Sequence, residues 1–153
     1  MVNAEAYGLV DNDALFTGEI RPVENTVFDF RKSALLRDRL LSGDPDIKHS
    51  NDGIDNFFPC RAAKGDMYLN SSIHCVDNGI TLDCYTDQLG VQVYTAAFVD
   101  TTGKGGTKHG KYAGICLETG NYANAINLPY VASPILKAGE RYYSKTVYKA
   151  SVK

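Results

Sequence analysis

The pair Asn78-Gly79 constrains the fold more than any other short stretch, because it lies between two runs of strand-forming residues. These runs occupy residues 67–77 and 80–86. Asn-Gly is the preferred pair for a type I′ turn, in which both central residues have positive φ. We therefore predict an antiparallel β-hairpin closed by a type I′ turn.

Strand-like segments follow one another along the chain, and one helical segment interrupts them. We predict further strands at residues 2–9, 90–99, 114–119 and 141–152, with an extended segment over 15–29. Residues 33–41 are predicted as a short helix that Ser33 caps and Gly43 ends. The polar residues 43–56 are predicted as a surface loop. This order indicates an all-β, antiparallel β-sandwich in which residues 1–153 belong to one domain, with no second domain.

Charge and composition exclude several classes of partner. The 153 residues carry a formal net charge of -2, so electrostatics favours neither a nucleic-acid partner nor an anionic membrane. No apolar run approaches the roughly 18 residues of a membrane span, and no signal peptide is visible. The four cysteines are interpreted as reduced thiols, which predicts a cytoplasmic protein. The scattered residues His49, His74 and His109 lack ligand spacing, so we predict no metal site.

Residues 105–111 read Gly-x-x-x-x-Gly-Lys, which is most of a phosphate-binding P-loop. Tyr112 follows where magnesium binding requires Ser or Thr, and a strand rather than a helix is predicted next. We therefore predict a glycine-rich hairpin loop here and no nucleotide site.

The stretch 114–122 places a carboxylate among small residues on a predicted strand. Side chains alternate along a strand, so Ile115 and Leu117 face a core while Glu118 faces the other side. Small neighbours would leave open space for a ligand above Glu118. A solvated outer face is the alternative interpretation, because most glutamates are exposed.

A second carboxylate, Asp55, precedes the bulky apolar pair Phe57 and Phe58. Such a neighbourhood can raise the pKa of a carboxyl or direct it into a pocket. The alternative is an Asx-type turn cap.

Five stretches in order across nearly the whole chain resemble the aldose 1-epimerase (galactose mutarotase) family. They are LFTGEI at residues 15–20, TVFDFR at 26–31, GIDNF at 53–57, GVQVYT at 90–95, and CLET at 116–119 with AINLP at 125–129. Five motifs in the family's order and spacing form a far more specific signal than any one alone.

The resemblance implies a partial galactose mutarotase-like β-supersandwich, formed by the C-terminal part of the family domain. The family interconverts the α and β anomers of hexoses such as galactose and glucose, and it uses no cofactor. By its motifs, Glu118 would be the general base on the anomeric hydroxyl, while Asp55 and Gln92 would bind sugar hydroxyls. A family histidine protonates the ring oxygen as general acid.

The chain lacks the motif that carries the family's general-acid histidine. The family's general-acid His, a second sugar-binding His and an Arg lie in motifs absent from this chain, and none of His49, His74 and His109 matches them. Asn56 also stands where the family usually has His. The resemblance therefore implies an incomplete acid–base site, completed by a missing N-terminal part or another chain.

Two other functions stay open, namely a non-catalytic sugar-binding module and a structural partner that completes a sandwich with another chain. Without the rest of the domain, we expect unpaired strand edges and an uncovered apolar face. That face would comprise Val91, Val93, Ile115 and Leu117. The isolated chain is then expected to be poorly soluble, to associate, or to need its N-terminal part.

Overall fold

Antiparallel strands dominate the computed structural model, which describes residues 1–60 and 66–152. The described elements are β1 Ala6–Val10, β2 Phe16–Pro22, α1 Leu36–Leu40, α2 Pro45–Lys48, β3 Asp55–Pro59, β4 Tyr68–His74, β5 Ile80–Thr86, β6 Gly90–Tyr94, β7 Thr101–Thr102, β8 Lys108–His109, β9 Cys116–Gly120 and β10 Thr146–Val152. A single turn of 3₁₀ helix, Ala125–Asn127, follows β9, and Lys104–Gly106 form a tight turn between β7 and β8. The predicted all-β, antiparallel fold class is confirmed.

The longer strands form two three-stranded sheets. One has the order β3-β6-β9 and the other β10-β5-β4, while β1 pairs with β2 and β7 with β8. A single cluster of buried apolar side chains connects the two sheets with β1 and the segments between β2 and β3. Strands from each sheet contribute to it, among them Phe58 of β3, Cys84 of β5, Val91 of β6 and Leu117 of β9.

Aromatic rings form the centre of this core. The rings of Tyr7 and Phe28 stack at 4.3 Å between centroids, and Phe58 meets both Phe28 and Phe30 edge-on at 6.4 Å. The Tyr7 hydroxyl donates to Asp46 Oδ2 at 2.8 Å. Burial, with help from that carboxylate, raises the pKa of Tyr7 to about 12. The hydroxyl therefore keeps its proton, and the buried ring has a hydrogen-bond partner.

Strands β4 and β5 form the antiparallel hairpin that the Asn-Gly pair predicts. The turn that connects them is not of the predicted type. The amide of Cys75 donates to the Ile80 carbonyl at 2.8 Å, so residues 76–79 form a four-residue connection. Gly79 has a φ of 72°, whereas Asn78 is outside the left-handed region. A type I′ turn needs positive φ at both positions, so that prediction is wrong. Asn78 Oδ1 instead accepts from the Ile80 amide at 3.0 Å.

The predicted helix over residues 33–41 is shorter than expected. It spans Leu36–Leu40, and its N-cap is Leu35, which provides no side-chain cap, so the predicted Ser33 cap is wrong. Leu40 is buried and Leu36 packs against the core. Packing of these two leucines, rather than capping, stabilises the short helix. No described helix is long and apolar enough to cross a membrane.

Residues 43–56 are not the surface loop predicted from their polarity. They contain α2, whose N-cap Asp44 accepts a hydrogen bond from the Asp46 amide at 2.9 Å. Ile47 and Ile54 are 1% and 0% exposed and belong to the core. Single apolar residues in a polar segment have no periodicity, so no local pattern predicts that these two are buried.

The expected uncovered apolar face is also wrong. Val91, Val93 and Leu117 are buried, and Ile115 packs against the same core. Their cover comes from earlier parts of this same chain, whose buried residues include Val2, Ala4, Tyr7, Val23, Phe28, Phe30, Leu40 and Ile47.

The P-loop-like stretch forms the short β7–β8 hairpin, as predicted. Gly105 and Gly106 take left-handed φ values of 69° and 79° at its tip. Lys111 lies 3.3 Å from the carboxylate of Asp52 and above the ring of Tyr112. The lysine that a P-loop would direct at phosphate is therefore already paired.

Candidate functional site

The outer face of the β3-β6-β9 sheet brings the three predicted site residues together. Antiparallel register places Gln92 between Phe57 of β3 and Glu118 of β9, while Asp55 is opposite Tyr94. Opposed residues share a face, and every second residue along a strand returns to it. These five side chains therefore project from the same side of the sheet, away from the buried Val91 and Val93 face.

That side of the sheet borders a cavity of about 520 Å³. Its lining consists of Asp55, Phe57, Gln92, Tyr94, Glu118, Thr119, Asn121 and Ala123. The volume lies within the range of roughly 300–1,000 Å³ typical of small-molecule sites. A monosaccharide is small enough to be accommodated there.

Asp55 and Gln92 form a hydrogen-bonded pair in this lining. Gln92 Nε2 donates to Asp55 Oδ1 at 2.8 Å. Burial raises the pKa of the Asp55 carboxyl, and the hydrogen bond from Gln92 partly opposes that rise. Because this carboxylate accepts from a side chain across the sheet, its alternative interpretation as an Asx turn cap is wrong. With Nε2 engaged, the Gln92 carbonyl oxygen remains an acceptor for a ligand hydroxyl.

Glu118 lies on the far side of Gln92 from Asp55. It is exposed, whereas its neighbour Leu117 is buried, so the predicted alternation along β9 is confirmed. An exposed carboxylate at the edge of a cavity can accept a proton from a bound hydroxyl. The site thus has one open carboxylate beside one hydrogen-bonded carboxylate.

The segment after β9 lines one end of the cavity through Asn121 and Ala123. The ring of Tyr122 lies 4.9 Å from the ring of Phe57, and Asn121 Nδ2 donates to the Ala132 carbonyl at 2.9 Å. The Tyr122 ring thus packs against a lining residue, and the aromatic rings that line the cavity are those of Phe57 and Tyr94. Strand alternation from Asp55 and Gln92 could have predicted Phe57 and Tyr94. The irregular path of Asn121 and Tyr122 carries no such signal.

A second hollow, of about 440 Å³, adjoins the first and shares Phe57, Gln92 and Ala123 with it. Its other lining residues are Val10, Ala14, Leu15, Phe16 and Asn124. The two hollows are therefore neighbours, and the first has a more polar lining than the second.

The histidines lie elsewhere. His49 Nδ1 is 2.8 Å from the Val10 carbonyl, and His74 Nδ1 is 2.9 Å from Thr81 Oγ1. Neither these two nor His109 lines the cavity in the described part of the chain. The described residues also contain no cluster of His, Cys, Asp or Glu that could hold a metal ion.

Sequence comparison places this chain in a known family. The Aldose 1-epimerase family model matches residues 1–149. Galactose mutarotase from Sus scrofa is 38% identical over 153 residues, which cover 99% of this chain and 43% of that protein. The Homo sapiens galactose mutarotase is 37% identical with the same coverage, and the Haemophilus influenzae aldose 1-epimerase is 31% identical, covering 97% and 43%. The chain thus spans less than half the length of these curated relatives.

Solved structures share the fold. The GalM/aldose epimerase homologue from C. elegans has a TM-score of 0.85 at 24% identity, covering 99% of this chain and 44% of that one. Galactose 1-epimerase from Lactobacillus acidophilus NCFM has a TM-score of 0.65 at 28% identity, covering 99% and 43%. The family-model match over residues 1–149 leads to one conclusion: the chain belongs to the aldose 1-epimerase family.

Proposed function

We propose that this chain is the C-terminal part of an aldose 1-epimerase that interconverts the anomers of a hexose such as galactose or glucose. Glu118 is the general base, and Asp55 and Gln92 orient the sugar. The single observation that carries the proposal is the shared face of β3, β6 and β9, where these three side chains line one cavity. The names of the similar proteins support the reaction class.

In this proposal the carboxylate of Glu118 removes the proton from the anomeric hydroxyl. The O–H electrons form the C1 carbonyl, the C1–O5 bond breaks, and O5 takes a proton from an acid. Rotation about C1–C2 followed by the reverse steps closes the ring on the other face. A positioned base and a positioned acid each contribute about 10²–10⁴-fold to such a proton transfer.

The acid at O5 is a histidine in the family that the motifs resemble, and no histidine lies in the described cavity lining. We infer that another part of the family domain, in the same or a second chain, supplies it. The relatives are more than twice as long as this chain, which supports that inference. Exposed apolar side chains after β9 provide a surface for such a part; we call them the C-terminal apolar set: Ile126, Tyr130, Ile135, Leu136, Tyr142, Tyr143, Val147, Tyr148 and Val152.

A sugar-binding module without catalysis is the second candidate. The position of His49, His74 and His109 outside the cavity favours it, because a base alone binds and polarises a hydroxyl without opening the ring. A binder would retain galactose in a calorimetric titration and leave the rate of optical-rotation change at the buffer value.

The test uses a chimera in which residues 1–153 replace the matching part of the Sus scrofa galactose mutarotase. In this chimera we expect Glu118→Gln to lower the mutarotation rate, followed by polarimetry, by about 10²-fold or more. Asp55→Asn and Gln92→Ala are expected to weaken galactose binding by about tenfold, because each loses hydrogen bonds to the sugar.

The chain by itself serves as the comparison, and we expect its mutarotation rate to equal that of buffer. An unchanged rate in the Glu118→Gln chimera would refute the assignment of the base. Efficient mutarotation by the chain alone would mean that one of its own groups supplies the acid. Galactose binding by the chain with an inactive chimera would favour the sugar-binding module.

A further inference from the structure

The strand that carries Glu118 lies at the edge of its sheet. In the described part of the chain, β9 pairs through its backbone with β6 on one side only. An edge strand is more easily displaced than a central one, because one row of its backbone groups lacks a ladder partner. A base on such a strand needs additional contacts to keep a fixed position.

Two hydroxyl groups of β10 provide contacts of this kind. The Tyr148 hydroxyl donates to the Leu117 carbonyl at 2.6 Å, and Thr146 Oγ1 lies 2.6 Å from Thr119 Oγ1. Thr146 and Tyr148 are two residues apart in β10, and their partners are two residues apart in β9 in the reverse direction. The two edge strands therefore run antiparallel, joined by side chains instead of a backbone ladder, with Glu118 between the two contacts.

The connection continues into the second sheet. Thr146 Oγ1 also lies 3.2 Å from Thr86 Oγ1, and Thr86 is the residue opposite Thr146 in the β5–β10 ladder. Thr86 is 0% exposed, and its hydroxyl is within 3.3 Å of the Lys145 carbonyl. A fixed, buried hydroxyl thus supports Thr146, which in turn supports the residue that follows Glu118.

We propose that β10 holds the Glu118-bearing strand in register, and that Thr146 and Tyr148 are positioning residues for that carboxylate. This inference rests on the proposed role of Glu118 as the base. Neither hydroxyl touches the cavity lining except through β9, so their effect on the reaction is indirect. Loss of both contacts is expected to loosen β9 while β3 and β6 stay ordered.

The test removes the two hydroxyl groups and keeps the side-chain shapes, with Thr146→Val and Tyr148→Phe combined. In the chain, hydrogen exchange followed by mass spectrometry should become about tenfold faster across Cys116–Gly120 and stay unchanged across Asp55–Pro59. In the chimera, kcat should fall about tenfold while KM changes less than about twofold, because the sugar-binding pair is intact. Thr146→Ser with Tyr148 unchanged keeps both hydroxyl groups and should leave both values at those of the wild type, and Thr101→Val at an exposed threonine of β7 is the matched control.

Each result decides the proposal. Unchanged exchange across β9 would overturn it, and so would faster exchange with an unchanged kcat, which would make the contacts merely structural. A failure of the proposed function appears separately, as a Glu118→Gln chimera with an unchanged rate. In that case the exchange measurement still decides whether β10 holds β9.

Discussion

Two regions of the molecule treat their apolar side chains in opposite ways. Beneath the candidate site, Phe58 and Val91 are both 0% exposed. In the C-terminal region, Tyr143 and Val152 are 69% and 75% exposed. The difference shows that this chain covers the inner face of the site sheet by itself, whereas its last strand and the segment before it present apolar groups to the surroundings.

The local structure explains the difference. The site sheet is covered by β1 and by the segments that carry α1 and α2, so its inner face is part of the core. The segment from residue 133 to residue 145 is exposed throughout, and it is anchored where Asp87 Oδ1 accepts from the Lys145 amide at 2.9 Å. The candidate site can therefore be well formed on a covered sheet while the C-terminal apolar set stays exposed.

The largest effect on the free energy of unfolding should come from truncating a buried side chain beneath the candidate site. Phe58→Ala removes a ring that contacts Phe28 and Phe30, and it should lower the free energy of unfolding by about 3–5 kcal/mol. Tyr143→Ala in the exposed region should change it by less than about 0.5 kcal/mol. Urea denaturation measures both values. Equal losses for the two variants would mean that the C-terminal region is packed after all.

A smaller effect is expected on self-association through the C-terminal apolar set. The double variant Tyr143→Ser/Val152→Thr removes exposed apolar area, so it should weaken association of the chain by about tenfold. Sedimentation velocity over a range of concentrations measures this change. Phe98→Ser, at an exposed aromatic outside the set, is the control and should leave association unaltered. A wild-type chain that stays monomeric at every concentration would show that the C-terminal apolar set does not mediate self-association.

The smallest effects should be pH-dependent and of opposite sign in the two regions. Burial raises the pKa of Asp55 at the site, so its contribution favours the folded state below the unfolded pKa and is lost as pH rises through the folded pKa. Hydrogen bonds, first that from the Lys145 amide and then that from Gln88, lower the pKa of Asp87. Its stabilisation is present above the unfolded pKa and is lost as pH falls through the folded pKa.

Asp55→Asn and Asp87→Asn separate the two contributions when unfolding is measured from pH 3 to pH 7. Relative to wild type, Asp55→Asn should gain stability as pH rises and Asp87→Asn should lose it, each by about 1 kcal/mol or less. Parallel profiles for the two variants would show that the environments of the carboxyls do not differ as described.

Much of the site could be predicted from the sequence because it lies on regular strands. Alternation alone separated Leu117 from Glu118, and the family motifs added Asp55 and Gln92. The predicted type I′ turn at Asn78 is wrong. The Asn78 side chain accepts the hydrogen bond from the Ile80 amide, which a type I′ turn would satisfy through the backbone. The reduced state of the cysteines in a cytoplasmic setting stays a prediction.

Other features depend on contacts between distant segments, and these leave no local pattern. Burial of Ile47 and Ile54 requires the core to accept two isolated side chains from a polar stretch. Contacts of Thr146 and Tyr148 with β9 depend on how the two sheets approach each other. Neither can be derived from spacing within one segment.

In the proposed function, the orientation of the Gln92 carboxamide affects which sugars the cavity favours. One N–H of its NH₂ group donates to Asp55, so the Gln92 carbonyl oxygen is an acceptor on this face together with the carboxylates of Asp55 and Glu118. These acceptor oxygens favour ligands whose hydroxyl groups can donate hydrogen bonds to them. Neutral polyols satisfy it, O-methylated sugars lose one hydrogen bond at each blocked position, and sugar phosphates or sugar acids meet repulsion from Asp55 and Glu118.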